Sequence, residues 1–344
     1  MEDFIHTLNA VIWSPALVAF CLGAGLFFSI KSRFVQLRLI PEMWRLLFQK
    51  KEDEIGLSSF QALSLTLAGR VGTGNIAGVA TAICFGGPGA LFWMWVVAFL
   101  GASSAFVEST LGQIYKERIE GQYRGGPAFY IERGLKLKAY AWAFAIVTIL
   151  ASCFFCPGVQ SNSIALAWNE AFGLDAEVTA AIVASITCFV IVGGLRRIAT
   201  FTSWVVPFMA QAYIVVALII VGVNWEQIPA VMTLIVNSAF GFDSLTGGML
   251  GAAIAWGVKR GIYSNEAGQG TGPHASSAAA VSHPAKQGLV QAFSVYIDTL
   301  FVCSATGFMI LMTGCYNMQA PDGSMIFEGL KGVEAGPVYT QAAI

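Results

Sequence analysis

Apolar residues run through this chain in long stretches parted by short polar segments. A helix needs about 20 mainly apolar residues to cross a hydrocarbon core of roughly 30 Å. Stretches of that kind predict spans at 11–30, 57–84, 88–115, 139–168, 176–194, 201–222, 229–258 and 287–313, with a further apolar start at "GPVYTQAAI". They read as helices and not as barrel strands. Two intervening segments follow another pattern. "RFVQLRLIPEMWRLLFQK" (33–50) alternates cations with Leu, Trp and Phe, as a helix lying at the headgroups does, and "YRGGPAFYIERGLK" (123–136) repeats this on a shorter scale.

Composition points the same way: 56% of the residues are hydrophobic, 11% are charged, and the mean hydropathy is +0.68. The fold class expected is an all-α polytopic membrane protein, with 1–344 as a single transmembrane domain. A net charge of −1 argues against nucleic acid as a partner. The seven cysteines show no zinc-type spacing, and Cys153-x-x-Cys156, inside "ILASCFFCPGV", reads as packing and not as a redox pair. The start, "MEDFIH", is acidic where a signal peptide is basic, so 11–30 is read as a retained span. Cytoplasmic loops collect Lys and Arg. Here Lys31, Arg33, Arg38, Arg45, Lys50 and Lys51 follow the first span, Lys116, Arg118, Arg124, Arg133, Lys136 and Lys138 the third, Arg196 and Arg197 the fifth, and Lys259, Arg260 and Lys286 the seventh. The alternate loops hold only Lys331, which puts the N-terminus outside.

The second span is interrupted by "AGRVGTGNIAG". Gly72-x-Gly74-x-x-Ala77 has the spacing of a dinucleotide-binding turn. Such a turn follows a strand and has an acid about 20 residues on, whereas that position here falls in "FWMWV". In a membrane helix each glycine costs about 1 kcal/mol relative to alanine and lets the backbone open. Open backbone is tolerated at membrane depth where protein or a water-filled cavity satisfies it. The seventh span has a comparable stretch, "FGFDSLTGGMLG" (240–251). The two interrupted spans are five apart and run in opposite directions, as the first helices of two inverted five-helix repeats do. Ionisable groups inside spans are expensive and point to function, which makes Arg70, Glu108, Asp243 and Asp298 candidates. Arg70 is expected to pair with one of these carboxylates and hold the broken helix. Glu266, in "YSNEAGQG", is expected at an inner gate or loop. Gly78, "GASSA" (101–105), Trp93 and Trp95 read as packing or as an aromatic belt.

"GGPGALFWMWVVAFLG" (86–101), "GRVGTGNIAGVA", "YRGGPAFYIERGL" and "GVKRGIYSNEAGQGTGPHASSAA" resemble, in this order and spacing, the alanine or glycine:cation symporter family, also called sodium:alanine symporters. The resemblance covers essentially the whole chain. It implies a LeuT-like five-plus-five inverted repeat, with 11–30 as an extra N-terminal helix, 57–222 as the first repeat and 229–344 as an incomplete second one, since members of the family continue further. It also implies a monomeric symporter in a prokaryotic plasma membrane that imports alanine or glycine with sodium and uses no cofactor. On these positions it implies that Thr73, Gly74 and Asn75 meet the amino acid, that Gly247, Gly248 and Met249 shape a small pocket, and that Gln160 forms a third wall. The carbonyls of Ala68 and Val71 are implied as sodium ligands. A proton-coupled carrier, a fragment that does not transport, and a channel remain beside this reading; substrate-saturable uptake separates carrier from channel.

Overall fold

The computed structural model describes residues 7–9, 11–49, 53, 55–242 and 249–344, and these are mostly helical. Helix α1 (Pro15–Lys31) leads into the short α2 (Val35–Arg38) and α3 (Ile40–Leu47). On α3, Met43, Leu46 and Leu47 turn inward while Trp44 and Arg45 stay exposed, the amphipathic division expected of 33–50. The next span comes in two pieces, α4 (Ser59–Arg70) and α5 (Val79–Gly86), joined through residues 71–73 and a π-helical turn (Gly74–Gly78). A capping box starts α4: Ser58 Oγ accepts from the Gln61 N–H and Gln61 Oε1 from the Ser58 N–H. Then follow α6 (Gly89–Ile114), an antiparallel hairpin of β1 (Glu117–Ile119) and β2 (Gln122–Arg124), and α7 (Pro127–Gly134). Helices α8 (Lys138–Leu150) and α9 (Cys156–Phe172) join through a π turn (Ala151–Phe155) into one rod; α10 (Ala176–Ile191) and α11 (Gly194–Val223) come next.

The seventh predicted span, 229–258, is not a single helix. Helix α12 (Ile228–Phe240) ends on Gly241, and α13 (Leu250–Asn265) runs past the predicted end, carrying Lys259 and Arg260 inside it. Ring faces meet these two cations: Lys259 Nζ lies 4.7 Å from the Trp256 ring centre, and Arg260 lies 5.3 Å from Trp256 and 5.9 Å from Tyr263. Charge alone therefore marked a boundary that the helix does not observe. After 266–271 come α14 (Gly272–Ser277) and α15 (Pro284–Val295), which continues through a π segment (Tyr296–Cys303) into α16 (Ser304–Thr313). The hairpin of β3 (Asn317–Gln319) and β4 (Met325–Glu328) and helix α17 (Pro337–Ala343) complete the described chain.

Among the described residues, α6, α8–α9, α11 and α15–α16 are long and apolar enough to cross a membrane. Helix α6 is the axis of the bundle and packs on α13 and α15. Small residues allow the approach: a Cβ on Gly257 of α13 would lie 2.5 Å from Trp93 Cβ and 2.6 Å from the Ala90 carbonyl of α6, so only glycine fits there. Beside two smaller clusters, one large apolar cluster gathers Val79, Ile83, Leu91, Met94 and Ile310; a second gathers Leu63, Leu67, Ala98, Ala102 and Val290. The break in the second span lies between them, with the π segment of residues 296–303 beside it. Helices α8 to α11 instead expose Phe154, Phe155, Phe189, Trp204 and Phe208, surfaces that suit lipid and not water.

Candidate functional site

The helix of the second span stops at Arg70 because Val71 turns to an extended ψ of 100°. The Gly72 N–H then donates to Asn75 Oδ1 at 2.8 Å, which takes the place of the helical bond to the Ala68 carbonyl. The next N–H, that of Thr73, donates to Gln160 Oε1 of α9 at 3.2 Å. Thr73 Oγ1 is buried without a hydrogen-bond partner at ordinary geometry, with the Tyr263 hydroxyl close by. Helical bonding resumes through the Gly78 N–H to the Thr73 carbonyl. Pi-helical turns of this kind often mark functional sites. Gly72 and Gly74 are glycines for a packing reason as well: a Cβ on Gly72 would lie 3.1 Å from Gln160 Oε1, and one on Gly74 3.1 Å from Ser264 Cα.

Asn75, fully buried, links this break to the rest of the site. Its Nδ2 donates to Asp298 Oδ1 at 2.7 Å and lies 3.3 Å from Cys303 Sγ. Asp298, also fully buried, accepts at Oδ2 from Ser264 Oγ (2.9 Å) and Thr299 Oγ1 (2.7 Å). The Asp298 carboxylate is therefore satisfied by neutral donors from three elements: the first break, the end of α13 and its own π segment. A buried carboxylate flanked by the hydroxyl oxygens of Ser264 and Thr299 offers oxygen atoms of the kind a hard cation takes and can also accept a proton, while Asn75 faces it with its NH₂.

A second break faces the first. After Asn265, Glu266 has φ 53°, Gly268 φ 85° and Gly270 φ 86°. Glu108 of α6 holds this loop: Oε1 accepts from the Gly268 N–H (3.2 Å) and Oε2 from the Gly270 N–H (3.0 Å). Glu266 Oε2 accepts from Thr271 Oγ1 at 2.7 Å, and its carboxylate stands by the first break, 3.7 Å from where a Cβ on Gly69 would be. Arg70 is buried; its Nη1 donates to Ser294 Oγ and to the Gln291 carbonyl, and it makes no ion pair among the described residues. The expected tie runs to α15 and not to a carboxylate.

Of the residues singled out from sequence, Thr73, Gly74, Asn75, Gln160 and Asp298 thus come together, with Ala68, Arg70, Val71 and Glu108 alongside. Met249 is not among them; it is buried in the apolar cluster, its Sδ 3.9 Å from where a Cβ on Gly87 would be. Asp243, Gly247 and Gly248 lie outside the described residues. Sequence reasoning passed over Ser264 and Thr299, and it read Glu266 at an inner gate or loop, whereas its carboxylate stands beside the first break. A cavity of about 690 Å³ lies behind the second break, lined by Phe20, Val97, Tyr130 and Gly268; Thr73, Asn75 and Asp298 are not on its walls.

Comparison with known proteins gives a consistent result. The family model of the sodium:alanine symporter family matches residues 1–338. A putative sodium/proton-dependent alanine carrier protein of Bacillus subtilis is 62% identical over 344 residues, all of this chain and 71% of that protein. A probable sodium/glutamine symporter of the same organism is 43% identical over 94% of this chain and 68% of its own length. The sodium/proton-dependent alanine carrier protein of Bacillus sp. strain PS3 is 50% identical over 88% of this chain and 68% of that protein.

Proposed function

This chain belongs to the sodium:alanine symporter family, a family of membrane transporters and not of enzymes, and from that premise we propose that it carries alanine or glycine across the prokaryotic plasma membrane together with a cation. Transport proceeds by alternating access, in a LeuT-like inverted repeat whose N-terminus is outside. The amino acid sits between the two breaks: its carboxylate takes the Thr73 N–H that Gln160 now holds, and its ammonium faces Glu266. The coupling cation acts at Asp298, and the Ala68 and Val71 carbonyls serve a second sodium.

The observation that carries this reading is the shared carboxylate. Asn75, beside the first break, and Ser264, beside the second, both donate to Asp298. A cation arriving there changes what both interruptions are bonded to, which is how an ion and a substrate come to stabilise the same state. One elementary charge moving through 100 mV supplies about 2.3 kcal/mol to drive the cycle.

The test is uptake of labelled alanine and glycine into proteoliposomes, driven separately by a sodium gradient and by a pH gradient. Saturable uptake that needs one of the two gradients is expected. Uptake indifferent to both defeats the proposal. Glutamine belongs in the same assay, because a relative 43% identical is named for it.

A further inference from the structure

Arg70 is the buried charge that the site so far leaves unused. It is the last residue of α4 and only 2% exposed. One of its three nitrogens is engaged: Nη1 binds Ser294 Oγ and the Gln291 carbonyl, while Nε and Nη2 have no partner. Carboxylates stand near it: a Cβ on Gly272 would lie 3.6 Å from Glu108 Oε1 and one on the neighbouring Gly69 3.7 Å from Glu266 Oε2, yet among the described residues Arg70 closes no ion pair. Burying a charge is costly unless it is paired. A buried guanidinium with carboxylates nearby and an ion pair to none of them is therefore not explained as a structural clamp.

The geometry of the free edge matters. Nε and Nη2 together form the side of a guanidinium that grips a carboxylate with two parallel hydrogen bonds. At this edge Nη2 packs close against Gly272, where an added Cβ would lie 3.2 Å from Nη2 and 3.6 Å from Glu108 Oε1, so a larger residue there would crowd the guanidinium. The anchor, Ser294, is four residues before Asp298 on the same rod, about 6 Å at the helical rise. Asp298 meanwhile has only neutral side-chain donors, from Asn75, Ser264 and Thr299.

We propose that Arg70 is a tethered counter-cation that exchanges between Ser294 and Asp298, neutralising the Asp298 carboxylate whenever the coupling cation has left. The inference rests on the symport reading given above. It supplies a step that symport requires, since a carrier that has released its cargo must reorient empty, and an unbalanced carboxylate at membrane depth opposes that movement. When the cation binds, Arg70 is displaced to Ser294. Because Arg70 immediately precedes the break, its position is tied to the backbone that bends.

The experiment compares two fluxes of the same protein in proteoliposomes. Exchange of external for internal alanine at saturating sodium needs only the loaded carrier; net uptake into empty vesicles also needs the empty one to return. For Arg70→Gln, exchange is expected within about threefold of the unsubstituted chain, while net uptake falls at least about tenfold and half-saturation by sodium shifts to lower concentration, because the internal competitor is gone. A purely structural role lowers both fluxes together, and that result, or net uptake left intact, overturns the proposal. If Arg70→Gln does not fold, Arg70→Lys carries the same test: a cation without the two-pronged edge must lower net uptake more than exchange, and equal losses overturn the proposal. Absence of both fluxes in the unsubstituted chain is a different failure, that of the symport reading itself.

Discussion

At the first break the freed N–H groups of Gly72 and Thr73 go to the side-chain amides of Asn75 and Gln160, and Asn75 is fixed in turn on Asp298. At the second, the N–H groups of Gly268 and Gly270 both go to the Glu108 carboxylate, which stands on α6, the axis of the bundle. A hydrogen bond between neutral groups contributes a net 0.5–1.5 kcal/mol or so, and one to a charged group about 1.5–3 kcal/mol. The second break is thus anchored to the scaffold by charge. The first is held by neutral amides, one of which is fixed in turn on the carboxylate to which the proposed cation goes. Two glycine-rich interruptions of the same general kind are therefore held differently, and on the symport proposal the first is the one to move while the second keeps its shape.

The largest way to break this asymmetry is to remove the charge that the first break answers to. Asp298→Asn keeps the shape and offers hydrogen bonds to Asn75, Ser264 and Thr299, but it cannot balance a cation. Cation-driven uptake is expected to fall about 100-fold or more, the loss of an interaction worth roughly 3 kcal/mol, with folding retained by thermal denaturation in detergent. Full gradient-driven uptake in this variant would remove Asp298 from the coupling. Next comes Asn75→Ala, which frees the Gly72 N–H and one oxygen of Asp298 together. Loss of sodium-dependent alanine affinity by about tenfold or more is expected, from two buried hydrogen bonds at about 1 kcal/mol each. Binding measured with and without sodium checks it, and unchanged sodium dependence sinks the assignment.

Glu108→Gln sharpens the other side of the comparison. A glutamine presents one oxygen and one NH₂ where two backbone donors need acceptors, so one of the Gly268 and Gly270 bonds is lost. The loss is expected to cost about 1–3 kcal/mol of stability and to slow uptake of alanine, while leaving the dependence on sodium concentration where it was. A shift in sodium half-saturation as large as that of Asn75→Ala would show that both breaks report on the cation, and the division of labour would fail.

Much of this was legible in the chain. The apolar runs located the long helices, because hydrophobic length is what a membrane reads, although α11 starts at Gly194 and not at 201 and so takes in Arg196 and Arg197, which were read as a loop; "GRVGTGN" located the first break, because glycine is where a membrane helix can open. Asp298 stood out as an acid in an apolar run. Its surroundings did not. Ser264 and Thr299 are ordinary polar residues whose importance comes only from facing one carboxylate across three elements. Glu266 was read at an inner gate or loop for a related reason: Lys259 and Arg260 suggest that a span has already ended, while Trp256 and Tyr263 cover those charges with ring faces and let α13 continue to Asn265.

The smallest effect concerns the ground on which the second break stands. Beyond α14, the Ala279 carbonyl is held from the end of α6 by Gln113 Nε2 (3.0 Å) and by Lys116 Nζ (2.7 Å), and the ammonium lies 4.3 Å from the centre of the Tyr123 ring. Burial pushes the Lys116 ammonium down to about 8, against the pull of Asp53 in the other direction. In the unfolded chain a lysine titrates near 10.4. Between about 8 and 10.4 the unfolded state therefore binds more protons than the folded one, and stability attributable to this group rises with pH across that window. Lys116→Met lacks the titration. The melting temperature of the unsubstituted protein, relative to this variant, is expected to climb from pH 7.5 to pH 10 by something on the order of 1 °C, since the side chain is partly open to solvent and the protein is large. A difference that stays flat with pH would mean that Lys116 keeps its proton on the Ala279 carbonyl throughout, and the anchor of the second break would then be cationic as well as acidic.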